Sequence, residues 1–301
     1  MKHILRLRLL RPLLLAPPLA AVLVLASCAS VIDFLPEEIQ AAEQPSIERA
    51  KALQAERPEA FHVDVADGRS LHYVELKQAL PPRPLVIFVH GSPGLWRTWM
   101  PYLNDTELRG RANLIAMDRP GFGASGSGQV ERSLLRQSQA IAPLLQHRQP
   151  GQRVILVGHA YGAVLAARMA MQYSDQVTDL VLTAAPLDPR LQTESWFQYL
   201  ADWPPITWLL PAEIVVFNRE YLGLEKQLTE MLPLWGTVTQ RVSLLLGVDD
   251  EEVPIATADF AEQRLTAARS VDVVRLARTN HFIPWTRFDQ VKASILSHLQ
   301  P

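Results

Sequence analysis

Six short apolar runs recur along this chain: LVIFV (85–89), NLIAM (113–117), RVILV (153–157), DLVLTA (179–184), RVSLLLG (241–247) and VDVVRLA (271–277). Continuous runs of this length mark strands buried on both faces. Stretches of helical period at 131–147, 161–173, 255–268 and 285–299 fall between several of them. The alternation predicts an α/β fold, a mostly parallel sheet with helices on both faces. Ligands then belong beyond the carboxyl ends of the strands. Ahead of the runs, FHVDV (61–65) and SLHYVEL (70–76) flank Asp67-Gly68 and read as a hairpin.

The rhythm breaks between about residues 187 and 237. Five prolines fall there, together with Trp196, Phe197, Tyr199, Trp203, Trp208, Phe217, Tyr221 and Trp235. Eight of the chain's 22 aromatic residues lie in this stretch, so it is predicted to be a helical cap over a pocket. The rings either line that pocket or hold the cap to the core.

The N-terminus follows a different pattern. Lys2, Arg6, Arg8 and Arg11 precede an apolar stretch, Leu13 to Ala26, of 14 residues. A helical span needs about 20, so residues 1–27 read as a secretory signal rather than a membrane helix. The signal ends in Leu25-Ala26-Ser27-Cys28, which resembles the lipobox of bacterial lipoproteins. The resemblance implies cleavage before Cys28, lipidation of that cysteine and a membrane anchor in the bacterial envelope. Ala29 and Ser30 include no aspartate, which favours the outer membrane. Residues 28–60 read as a tether with a short helix at 46–55, leaving 61–301 for the α/β domain. Cys28 is the only cysteine of the 301 residues, so neither an internal disulfide nor a cysteine-rich zinc site is available. The net charge of −2 becomes −6 once the four leader cations are removed, giving no electrostatic case for nucleic acid.

Chemistry-bearing motifs sit where strands end. Gly158-His159-Ala160-Tyr161-Gly162 lies between RVILV and a helical run and resembles the nucleophile elbow, G-x-S-x-G, of the α/β-hydrolases. His90-Gly91-Ser92-Pro93-Gly94 is similar to that family's oxyanion loop, and Asp118 to Ser125 to its DxxGxGxS loop. The resemblance implies an oxyanion hole from the backbone N–H groups of Ser92 and Tyr161, with His90 bracing the loop. Gly247 to Pro254 resembles the turn that carries the family's acid. Its spacing favours Asp250 over Asp249, and Asp188 is a third choice. His281, in Asn280-His281-Phe282-Ile283-Pro284, matches the catalytic-type histidine, with Asn280 replacing the usual glycine.

The nucleophile position itself is Ala160, a methyl group. In a serine hydrolase the imidazole takes the serine proton while the carboxylate fixes its tautomer. Losing that serine costs about 10⁶ in kcat, as in subtilisin. An ester or amide hydrolase scaffold without acyl-enzyme chemistry is therefore expected. Three readings stay open: a natural pocket for binding, a serine deliberately replaced, or a His–Asp dyad acting without a covalent intermediate. The aromatic cap, with Trp96 and Trp99 beside the oxyanion loop, points to an apolar acyl-type small molecule. Glu194, Glu213 and Glu220 in the cap are candidates to receive an amine. There is no HExxH, metal-ligand cluster or phosphate-binding loop, so no cofactor is expected.

Overall fold

The structure is a computed structural model, and it describes residues 59–65, 68–76 and 83–300. The leader, Cys28, the tether up to residue 58 and Asp67 lie outside the described residues, and the last two tether positions, Glu59 and Ala60, belong to the first strand. Eight strands form one sheet: β1 (Glu59–Asp64), β2 (Ser70–Leu76), β3 (Leu85–Val89), β4 (Asn113–Met117), β5 (Val154–His159), β6 (Asp179–Thr183), β7 (Arg241–Gly247) and β8 (Ser270–Leu276). Their order is β1-β2-β4-β3-β5-β6-β7-β8. The pairings of β1 with β2 and of β2 with β4 are antiparallel, and all the others are parallel.

Strand period sorts the core into two layers. In β3, Leu85, Ile87 and Val89 join the cluster on one face, while Val86 and Phe88 join the other. The first face is covered by α1 (Leu134–Ile141) and α2 (Tyr161–Gln172), the second by α7 (Phe288–His298) and the Trp99–Tyr102 segment. The stretch 131–147 is not one helix: it turns to 3₁₀ form at Ala142–His147, where Pro143 cannot donate to the α ladder.

Between β6 and β7 the chain leaves the sheet as α3 (Trp196–Ala201), α4 (Pro204–Thr207), α5 (Ala212–Tyr221) and α6 (Leu224–Met231). The two later helices reach the core: Val216 of α5 and Leu224, Leu228 and Met231 of α6 are buried. The two earlier ones bury none of their residues. The sheet order fixes where the functional loops meet. Chain order runs outward from β3 to β4, then returns to β5 on the other side of β3. The loops after β3 and β5 therefore flank a topological switch point.

Candidate active site

The loop from β5 into α2 turns at Ala160, whose φ of 48° and ψ of −122° lie in the left-handed half of the map. Its N–H donates to Thr183 O at 2.9 Å, and its carbonyl accepts from Ala163 N, which clamps the turn from both sides. The last residue of the motif must be glycine for space. A Cβ at Gly162 would meet the carbonyl oxygens of His90 and Val89 at 2.3 and 2.4 Å. Holding an alanine at such a φ costs about 1–3 kcal/mol, which the packing around it must offset.

Asp250 enters from the loop after β7 and His281 from the loop after β8. The two strand ends approach closely because Gly247 has no side chain: a Cβ there would lie 2.3 Å from Thr279 O. His281 Nδ1 donates to Asp250 Oδ2 at 3.0 Å and lies 3.3 Å from Oδ1. Asp250 Oδ1 also accepts from the N–H groups of Glu252 and Val253 at 2.9 and 2.8 Å, which fixes the carboxylate. Both residues are buried. Asp249 is exposed, and Asp188 caps the Pro189–Leu191 turn and binds Arg190 at 2.7 Å. Of the three carboxylates, Asp250 alone is the one brought to His281.

The other face of the imidazole holds a surprise for a sequence reading. His281 Nε2 lies 3.6 Å from Glu252 Oε2, on a side chain that is 61% exposed. Burial would lower the His281 pKa, but the hydrogen bond to Asp250 and the charges of Glu252 and Asp250 outweigh it and raise the value above the ordinary range. His159 stands against His281 with ring centroids 5.0 Å apart, and burial together with His281 pushes its own pKa well down.

His90 braces the oxyanion loop. Its Nε2 accepts from Arg119 N at 2.9 Å, so Nδ1 carries the proton and donates to Gly91 O at 2.7 Å. Burial and Arg119 hold its pKa far below the usual range, in keeping with a neutral ring. A Cβ at Gly91 would lie 3.4 Å from that of Ala160, so the loop runs directly beside the elbow. Tyr161 opens α2, where first-turn N–H groups lack intrahelical partners. Ser125 is scaffold: its Oγ donates to Asp118 O at 2.7 Å and accepts from His72 N at 2.8 Å.

Arg119 is the residue the sequence did not announce. It is fully buried, lies 4.7 Å from both the Phe122 and Tyr161 rings, and donates to the carbonyls of His90 and Gly91 at 2.9 and 3.0 Å. Its other N–H groups meet Glu220 of α5 at 2.7 and 3.0 Å. Glu220 also accepts from Ser92 Oγ at 2.6 Å and from Gln137 at 3.0 Å. Glu220 is therefore engaged by the core rather than held ready for an amine. Glu194 accepts from Tyr199 and Gly223, and Glu213 from Ser127. Trp99 is wholly buried against Phe88 and Tyr102, so it belongs to the core and not to a pocket.

Comparison with known proteins places this geometry. A family model described as "Alpha/beta hydrolase family" matches residues 86–293. Over 178 residues the chain is 29% identical to epoxide hydrolase 3 of Xenopus tropicalis, covering 54% of this chain and 45% of that protein. The chain spans less than half the length of the epoxide hydrolases it matches among curated proteins. The crystal structure of an epoxide hydrolase from Vigna radiata superposes with a TM-score of 0.61 at 16% identity, over 80% of this chain and 97% of that one. A hydrolase from Pseudomonas aeruginosa gives 0.62 at 16%, over 82% and 100%. At these identities the likeness to the solved structures is one of fold.

Proposed function

The chain belongs to the α/β-hydrolase family, and from that membership we propose that it is a binder of an apolar, acyl-type small molecule on an ester or amide hydrolase scaffold. It keeps the elbow, the oxyanion loop and the His281–Asp250 dyad, but it lacks the nucleophile. The observation that carries this reading is Ala160 at φ 48°, a methyl group in the position and conformation of a nucleophile. The oxyanion-hole donors, Ser92 and Tyr161, are backbone groups and survive the loss of a side chain at 160. The anchor belongs to the same reading: Cys28 is the lipidated residue, and the protein works at the envelope membrane, the outer one by the residues after Cys28.

The test restores the missing atom. Parent chain, Ala160→Ser and Ala160→Asp are assayed on short and medium acyl esters, an aminoacyl amide and a small epoxide. The epoxide is included because of the relatives' names. The parent is expected to be silent. Ala160→Ser is expected to raise ester turnover by about 10³-fold or more, since the dyad is in place and the loop at Gly91 runs beside the elbow, and His281→Ala should abolish the gain. Turnover by the parent that is lost in His281→Ala would replace this reading with a dyad enzyme. Silence of all three would end the latent-hydrolase reading and leave the family membership standing. Replacing Cys28 with serine should release the protein from membranes, and unchanged retention would remove the anchor.

A further inference from the structure

The cap turns its largest apolar side chains outward. Trp208 is 82% exposed, Trp196 64%, and Phe197, Tyr199, Trp203 and Leu209 fall between 54% and 59%. Six of the nine exposed large hydrophobics among the described residues thus lie within 14 consecutive positions, 196–209. These five rings point to solvent, whereas Tyr221 packs on Tyr161 and Trp235 is buried in the core, so the expectation that rings hold the cap down is met by the later part of the insertion alone. Scattered exposed apolar residues are ordinary, whereas a contiguous group marks an interaction surface.

We propose that this tip seats in the headgroup layer of a phospholipid membrane. Three observations select that occupant. Trp and Tyr combine an apolar ring with a polar atom, the combination enriched at membrane–water interfaces. From Trp203 to Ala212 no residue is charged. At the border Asp202 is paired with Arg219 at 2.5 Å and Arg132 at 3.5 Å, while Glu194 accepts from Tyr199 and Glu213 from Ser127, so the rim carries both signs of charge around an uncharged centre. The third observation is the chain ahead of the domain, and here the inference rests on the anchor reading above. The apolar stretch and Cys28 deliver the domain to a lipid surface, yet Cys28 lies 31 residues before Glu59. A chain of 31 residues spans at most about 100 Å, well beyond the radius of gyration of about 18 Å of a domain of this size, so attachment at Cys28 alone does not decide which face meets the lipid. The cap supplies a second contact, on the insertion that also meets the oxyanion loop through Glu220.

The test uses the full chain with phosphatidylcholine vesicles whose acyl chains carry bromine, a quencher of tryptophan emission. All seven tryptophans lie at residue 96 or later, so the leader is silent in this measurement. The expected result is quenching of the three tip tryptophans that raised salt leaves in place. Co-sedimentation of Cys28→Ser with the vesicles should be lost when Trp196→Ser/Trp203→Ser/Trp208→Ser is added, with the thermal unfolding midpoint unchanged because these side chains are exposed. A vesicle-bound parent without quenching overturns the tip and leaves the anchor standing. Quenching in a parent whose lipid attachment is unaffected by Cys28→Ser fails the anchor reading alone, whereas release of Cys28→Ser from cell membranes with no quenching in the parent fails this one alone. If sedimentation shows a dimer that the triple variant dissociates, the patch joins two copies of the chain and the membrane proposal falls.

Discussion

His281 is an imidazole between two carboxylates, and that sets its chemistry more firmly than the motif it sits in. Asp250 accepts a hydrogen bond from Nδ1–H, while Glu252 stands 3.6 Å from Nε2. The folded pKa is raised, so the stability this arrangement contributes is fully present below the unfolded value of about 6.5 and is lost as pH rises through the folded value. Glu252→Gln removes one of the two charges. The His281 titration midpoint, followed by the imidazole NMR signals, should move down, while Asp250 remains bonded. An unmoved midpoint would show that the exposed Glu252 is screened out. At this scale the sequence was partly legible. The spacing in Gly247 to Pro254 selected Asp250, which is the carboxylate that meets His281. Glu252 was not legible, because which way a surface side chain turns depends on the loop's path and not on a motif.

A buried ion pair ties the cap to the sheet domain, beside the apolar contacts of α6. Arg119 and Glu220 are both at 0% side-chain exposure, and the pair also holds Ser92 Oγ and the carbonyls of His90 and Gly91. Removing one member of such a pair leaves the other charge buried and uncompensated, at a cost of about 3–5 kcal/mol. Glu220→Gln should therefore lower stability by that order in urea unfolding. It should also open the 196–221 segment to protease before the sheet unfolds. Simultaneous loss of cap and sheet would mean that the apolar contacts of α6 hold the cap instead. The strands and most helices could be read from periodicity, since each depends on neighbouring residues. The ion pair could not, because its members are 101 positions apart and one of them had several equivalent acids around it. The cap's aromatic content was legible too. The direction of its rings was not, since a solvent-facing tryptophan and a buried one contribute equally to composition.

Across the whole molecule, the end of the sheet opposite the site is closed by Asp179. It accepts from His298 of α7 at 2.9 Å, Thr178 at 2.7 Å, Arg153 at 2.8 Å and Arg241 at 2.7 Å. Burial would raise its pKa, but these hydrogen bonds outweigh burial and hold it far below the carboxylate range. A depressed folded value contributes stability that is present above the unfolded value, about 3.9, and is lost as pH falls towards the folded one. The protein should lose stability steeply below about pH 4, and Asp179→Asn should flatten that dependence while lowering stability at neutral pH. Unfolding midpoints across the acid range measure both effects. The sheet's other margin has a mechanical meaning. The described chain begins on β1, the outermost strand, which is exposed along most of its length and pairs only with β2. Any pull arriving through the residues ahead of Glu59 is borne first by that strand. Peeling β1 away leaves β2 to β8, and the loops of the site, still hydrogen-bonded in place, so the edge strand yields before the site is disturbed.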